Sequence, residues 1–160
     1  MLHVIDASAL LALAQCVSTA VYNDILNDLT DLVREGDLTF PKEVADDLQH
    51  RAKGETLDVW IKAVASDRLL KAVPFANVQW VMAECSDLLD PDALIDSPTQ
   101  VAAFGRELAR TDSPFHVVTD DIHDKPTRLA LSTACATFGW HAEDVRGFLE
   151  CVGLDGYLVI

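Results

Sequence analysis

The sequence predicts an α/β fold, a three-layer α/β/α sandwich around a central, mostly parallel sheet. Two short apolar runs, "LHVI" (2–5) and "FHVV" (115–118), have the continuous hydrophobicity of strands buried on both faces. Amphipathic helical segments alternate with them, as βαβ connections require. Each run ends in a carboxylate, Asp6 after the first and Asp120 with Asp121 after the second.

The elements follow in chain order. After "LHVI", Asp6 is placed to cap a helix starting at Ala7. In "TAVYNDILNDLTDLVREG", Tyr22, Ile25, Leu26, Leu29, Leu32 and Val33 keep helical spacing, and Gly36 marks the stop. "LTF" reads as a second short strand or an extended entry. Pro41 opens the helix "PKEVADDLQHRAKG", since proline suits a first helical position. "LDVWIKAV" puts Leu57, Trp60, Ile61 and Val64 on one face. "VQWVMAECSDLL" does the same with Val78, Val81, Met82, Cys85, Leu88 and Leu89. "DPDALIDSP" is acidic and proline-containing and reads as loop. Ser97 and Pro98 look like the cap and first turn of "TQVAAFGRELAR". "STACATFG" is a short helix stopped by Gly139, and a last helix runs from about Glu143 to Val152.

The 160 residues amount to one domain, 1–160, and half of them are apolar, enough for a core. The net charge of −14 disfavours a plain electrostatic nucleic-acid binder, whose phosphate contacts need Lys and Arg. It does not disfavour a metal-dependent enzyme, because a divalent ion inverts the local charge logic. Cys16, Cys85, Cys135 and Cys151 have no zinc-like spacing and read as small buried residues in a reduced cytosol. The apolar run after Asp6 lacks the basic start of a signal peptide, and no segment is long and apolar enough for a bilayer. The expectation is a cytoplasmic protein without membrane contact. None of the five histidines pairs with another at ligand spacing. His3 and His116, in the two strands, read as core, and His123 stands two residues after Asp121.

In an open α/β sheet, ligands bind beyond the carboxyl ends of the strands. Neighbouring strands would bring Asp6 and Asp121 to one crevice. Clustered carboxylates call for a cation, and Mg²⁺ or Mn²⁺ suits oxygen ligands. The helix after Pro41 offers Glu43, Asp46 and Asp47. Taking Val44 and Leu48 as its core face, Asp47 lies about 80° away, Glu43 about 120° and Asp46 about 180°. Asp47 is best placed to reach a crevice. Glu43 either shares the site or serves the helix's positive end.

These segments together resemble the PIN domain, a family of metal-dependent ribonucleases that includes VapC-like toxins of bacterial toxin–antitoxin pairs. "LHVIDASALLAL" is similar to the family's opening strand, "FPKEVADDLQ" to its second-acid helix and "FHVVTDD" to its T-x-D strand end. "LALSTACATFGWHAEDVRGFLECVG" is similar to the tail of one PIN-like toxin subgroup. The resemblance implies RNA phosphodiester hydrolysis with Mg²⁺ or Mn²⁺. Asp6, Asp47 and Asp121 would hold the ion, with Asp120 beside them, and Ser8, Thr119 and Glu43 would support the site. It also implies a protein antitoxin and allows a homodimer. The family's third acid opens the helix before the last strand; here Pro98 takes its place. Either Asp96 supplies that acid from the loop or the acid is absent. Two basic pairs, Arg106 with Arg110 and Lys125 with Arg128, are the candidates for RNA phosphates. The alternative function is a degenerate PIN-like domain that binds a protein, which the acidic balance suits when the partner is basic.

Overall fold

A computed structural model describes residues 1–68 and 72–159. It contains four strands, β1 (Leu2–Ile5), β2 (Leu38–Thr39), β3 (Phe115–Val118) and β4 (Ala142–Glu143). They form one sheet in the order β2-β1-β3-β4, and every neighbouring pair is parallel. The described residues also form eight α-helices, α1 (Ala7–Cys16), α2 (Tyr22–Glu35), α3 (Lys42–Arg51), α4 (Thr56–Val64), α5 (Phe75–Glu84), α6 (Ser97–Arg110), α7 (Leu131–Phe138) and α8 (Val145–Cys151). No helix among the described residues is long and apolar enough to cross a membrane.

The two apolar runs are the central strands β1 and β3. Val4, Ile5, Val117 and Val118 are at most 1 % exposed, because β1 and β3 are central in the sheet and helices pack over them. Asp6 caps α1 by accepting the Ala9 N–H at 2.8 Å. Gly36 closes α2 at φ 83°, a left-handed turn in which a Cβ would be strained. Gly139 does the same for α7 at φ 77°.

Three elements differ from the sequence reading. The helix expected over 78–89 ends at Glu84, Cys85 leaves helical geometry, and Ser86–Leu88 continues as a short 3₁₀ turn. Met82 faces solvent instead of the core. The last helix begins at Val145, not Glu143, with Asp144 as its cap, because Ala142 and Glu143 pair with β3. The cap of α6 is Asp96, which accepts from Thr99 N–H, and this leaves Ser97 as the first helical residue.

The chain crosses from β1 to β2 on one side and later returns to place β3 on the other. The reversal of direction therefore falls between β1 and β3, and their carboxyl ends open there. One apolar cluster, from Val4 through Phe104 to Leu149, supports this opening.

Candidate functional site

The carboxyl ends of β1 and β3 open into a cleft of about 330 Å³, and the candidate acids gather around it. Asp6, Ser8, Asp47, Ser97, Pro98, Asp120 and Asp121 line it, with Asp90, Arg51, Lys125, Arg128 and His123.

Asp6 lies deepest, 2 % exposed. Its carboxylate accepts from Ala9 N–H at 2.8 Å, from Ser8 Oγ at 2.7 Å and from Thr119 Oγ1. The two hydroxyls in turn accept from the next strand end, Ser8 from Asp120 N–H and Thr119 from Asp121 N–H, both at 3.0 Å. Two hydroxyls thus fix the end of β3 against the end of β1. Burial pushes the Asp6 carboxyl up to about 6, and the charge of Asp121 adds to it. The three donors pull the other way and do not restore the ordinary value. A carboxylate held in this state in the floor of a cleft makes the cleft a functional-site candidate.

Asp121 is gripped by Arg128 in a two-point ion pair, Nη1 to Oδ1 at 3.1 Å and Nη2 to Oδ2 at 2.6 Å. Its Oδ2 also accepts from Leu131 N–H at the start of α7. Arg128 is buried, and its Nε reaches Leu88 O at 3.3 Å. Asp120 accepts from Val145 N–H and so holds the start of α8, and burial raises its carboxyl.

Asp47 comes from α3, on the face the spacing indicated, and is buried. Ser97 Oγ donates to it at 2.7 Å, and Arg51, one turn later, lies 2.9 Å from its other oxygen. Asp46 pairs with Lys42 at the surface, and Glu43 stands apart from the cleft's lining.

Asp96 is not among the lining residues; it caps α6, and burial raises its carboxyl against the Thr99 hydrogen bonds. Pro98 lines the cleft at the place the resemblance assigns to a third acid. Among the described residues no three of the aspartates bring one oxygen each within 4.8 Å. They surround the cleft instead of closing on a point.

The basic residues divide. Lys125 and Arg128 line the cleft. Arg106 and Arg110 lie three turns along α6 from Ser97, about 13–20 Å away by helix rise. Arg106 sits over the Trp80 ring at 4.2 Å, and Arg110 pairs with Glu107 at 3.3 Å. Sequence reasoning missed Arg51 and Ser97. Arg51 carried a readable signal, since it follows Asp47 by four residues on one helix. Ser97 carried none, because its contact spans fifty positions.

Three cysteines are buried as expected, and burial pushes Cys135, near Asp6, up to about 12. Cys151 is exposed, against that expectation. No known protein family, curated protein or solved structure matches the chain.

Proposed function

We propose that the chain is a PIN-like three-layer α/β/α domain that hydrolyses RNA phosphodiesters with Mg²⁺ or Mn²⁺, as the toxin of a bacterial toxin–antitoxin pair in the cytoplasm. The observation that carries this reading is the meeting of Asp6, Asp47, Asp120 and Asp121, from three separate segments, in one cleft beyond the ends of β1 and β3.

The donors fit a hard divalent ion in kind, since all are carboxylate oxygens. No three of them among the described residues come within 4.8 Å, so an ion there would be held by one or two carboxylates and its own waters. When bound, the ion supplies charge for the phosphate and an activated water. The chain's part is to fix the acids. Ser8 and Thr119 orient Asp6, Ser97 and Arg51 orient Asp47, and Arg128 holds Asp121. Lys125 and His123, exposed on the rim, are placed to meet substrate phosphates.

The test is cleavage of a mixed RNA pool with Mg²⁺ or Mn²⁺. Asp6→Asn and Asp121→Asn are expected to lower the rate by about 100-fold or more, the loss typical of disabling electrostatic stabilisation at a reacting centre. If the native chain cleaves nothing with either ion, the enzyme reading fails.

Two observations favour a second reading, a catalytically quiet domain that binds a basic protein. Arg128 already supplies Asp121 with a cation, and Pro98 leaves the third acid unfilled. On that reading the native chain is inert toward RNA and captures a basic partner equally well with chelator present.

A further inference from the structure

A second group of polar side chains meets over one face of the sheet. His3 of β1 and His116 of β3 are register partners, with ring centroids 5.4 Å apart. Glu143 of β4 pairs with Val118, two residues beyond His116, so the period of two places it on the same face as His116. Helix α8 runs back over that face. Phe148 rests on the His3 ring at 5.0 Å, and Cys151 ends the helix. One donor atom from each of His3, His116, Glu143 and Cys151 lies within 4.8 Å of the other three. Among the described residues no other set of three or more metal-ligating side chains does this.

The second observation concerns what these atoms lack. His3 is 1 % exposed, and neither of its ring nitrogens has a hydrogen-bond partner. His116 Nδ1 and Glu143 Oε1 are also buried without one. Glu143 Oε1 stands 3.2 Å from His3 Nε2 and 3.5 Å from His116 Nδ1, yet neither approach has hydrogen-bond geometry. Buried polar atoms are ordinarily satisfied. His3 Nε2, His116 Nδ1 and Glu143 Oε1, one atom from each of three side chains, converge without bonding one another and share one missing partner.

We propose that His3, His116, Glu143 and Cys151 form a tetrahedral site for Zn²⁺ that ties α8 to β1, β3 and β4. Two imidazoles, a carboxylate and a thiolate are a donor set this borderline ion takes. Bonds of about 2.0–2.3 Å imply ligand–ligand edges of roughly 3.3–3.8 Å, and the two measured edges are close to that range. Exposed Cys151 gives an entry path, and its thiol loses a proton to solvent as the ion binds. His141 lies 3.7 Å from the other Glu143 oxygen and flanks His116, as a neighbour that orients a ligand does. Four protein ligands leave no open position, so the ion's work is structural. The site stands independently of the aspartate cleft. His3 precedes Asp6 by three residues, about 10 Å along an extended strand.

The test titrates the full chain with Co²⁺ and then Zn²⁺. One equivalent of Co²⁺ is expected to give intense tetrahedral bands in the visible and a thiolate charge-transfer band in the near ultraviolet, both erased when Zn²⁺ displaces it. Cys151→Ser removes the charge-transfer band. His116→Ala weakens Zn²⁺ binding by about 100-fold, as loss of a ligand should. Both substitutions lie at positions not fully buried, and circular dichroism checks their folding, whereas His3→Ala opens the core. Asp6→Asn with Asp121→Asn leaves the titration unchanged. The proposal is overturned by weak octahedral bands alone, by a spectrum that Cys151→Ser does not alter, or by one that vanishes in the doubly substituted aspartate variant.

Discussion

Asp6 is costly where it stands. Its carboxyl titrates near 6 in the folded chain and near 3.8 when unfolded. Between those values the native state keeps a proton that the unfolded state has released, so stability falls as pH rises from about 4 to 6. Above that window the buried charge costs about 3 kcal/mol, at 1.36 kcal/mol for each unit. Asp6→Asn keeps an acceptor for Ala9 N–H and carries no charge. It is therefore expected to stabilise the protein by about 1–3 kcal/mol at pH 7.5, with the gain shrinking to nothing near pH 4. Urea unfolding of both proteins across this range checks it. A variant that is weaker at every pH would show that the hydrogen bonds outweigh the charge. If Asp6→Asn gains stability while losing cleavage, folding is separated from catalysis. This residue was legible in the sequence because a lone carboxylate ended an apolar run. The grip of Arg128 on Asp121 was not, since nothing in "DDIHDKPTR" distinguishes a buried guanidinium from an exposed one.

At the scale of elements, helix α6 passes close against the Trp140 and Phe115 rings at Gly105. It packs against α5, α7 and both central strands. A Cβ on Gly105 would lie 2.9 Å from Trp140 and 3.2 Å from Phe115. Trp140 cannot swing aside easily, since Trp80, Phe138 and Phe115 surround it. Alanine in place of glycine gains about 1 kcal/mol of helix propensity. Overpacking of a filled core costs about 1–3 kcal/mol. Gly105→Ala is therefore expected to lose up to about 2 kcal/mol overall, read as a lower urea midpoint with near-ultraviolet dichroism changed at the tryptophans. A stabilised variant would show that the aromatic cluster yields. The sequence read β1, β3 and most helices correctly because they are long or continuously apolar. It missed β4, whose two residues, Ala142 and Glu143, have no periodicity of their own and become a strand only through β3. It missed the pairing of His3 with His116 as possible ligands for the same reason: strands bring together residues that spacing along the chain keeps apart.

Over the whole molecule, 26 acidic residues face 12 basic ones. The exposed pairs, such as Lys42 with Asp46 and Arg110 with Glu107, are screened by solvent, contribute little and neutralise few of the acids. The rest repel one another in the compact state. Screening should relieve this. Raising NaCl from about 10 to 300 mM shortens the Debye length from roughly 30 Å to under 10 Å, which suppresses long-range repulsion before it weakens contact pairs. The midpoint of thermal unfolding is expected to rise by about 2–4 °C, the shift that roughly 1 kcal/mol gives a chain of this size. A fall would mean that the local pairs dominate. The same surplus bears on the proposed function, because in a chain of charge −14 the positive charge lining the cleft comes from Arg51, Lys125 and Arg128. Of these, Arg51 and Arg128 are committed to Asp47 and Asp121. A divalent ion in the cleft would therefore serve the approach of substrate as well as its cleavage. Mg²⁺ at matched ionic strength should then raise the midpoint beyond NaCl, and Asp6→Asn with Asp121→Asn should abolish only that excess, since the general screening acts on charges spread over the entire surface.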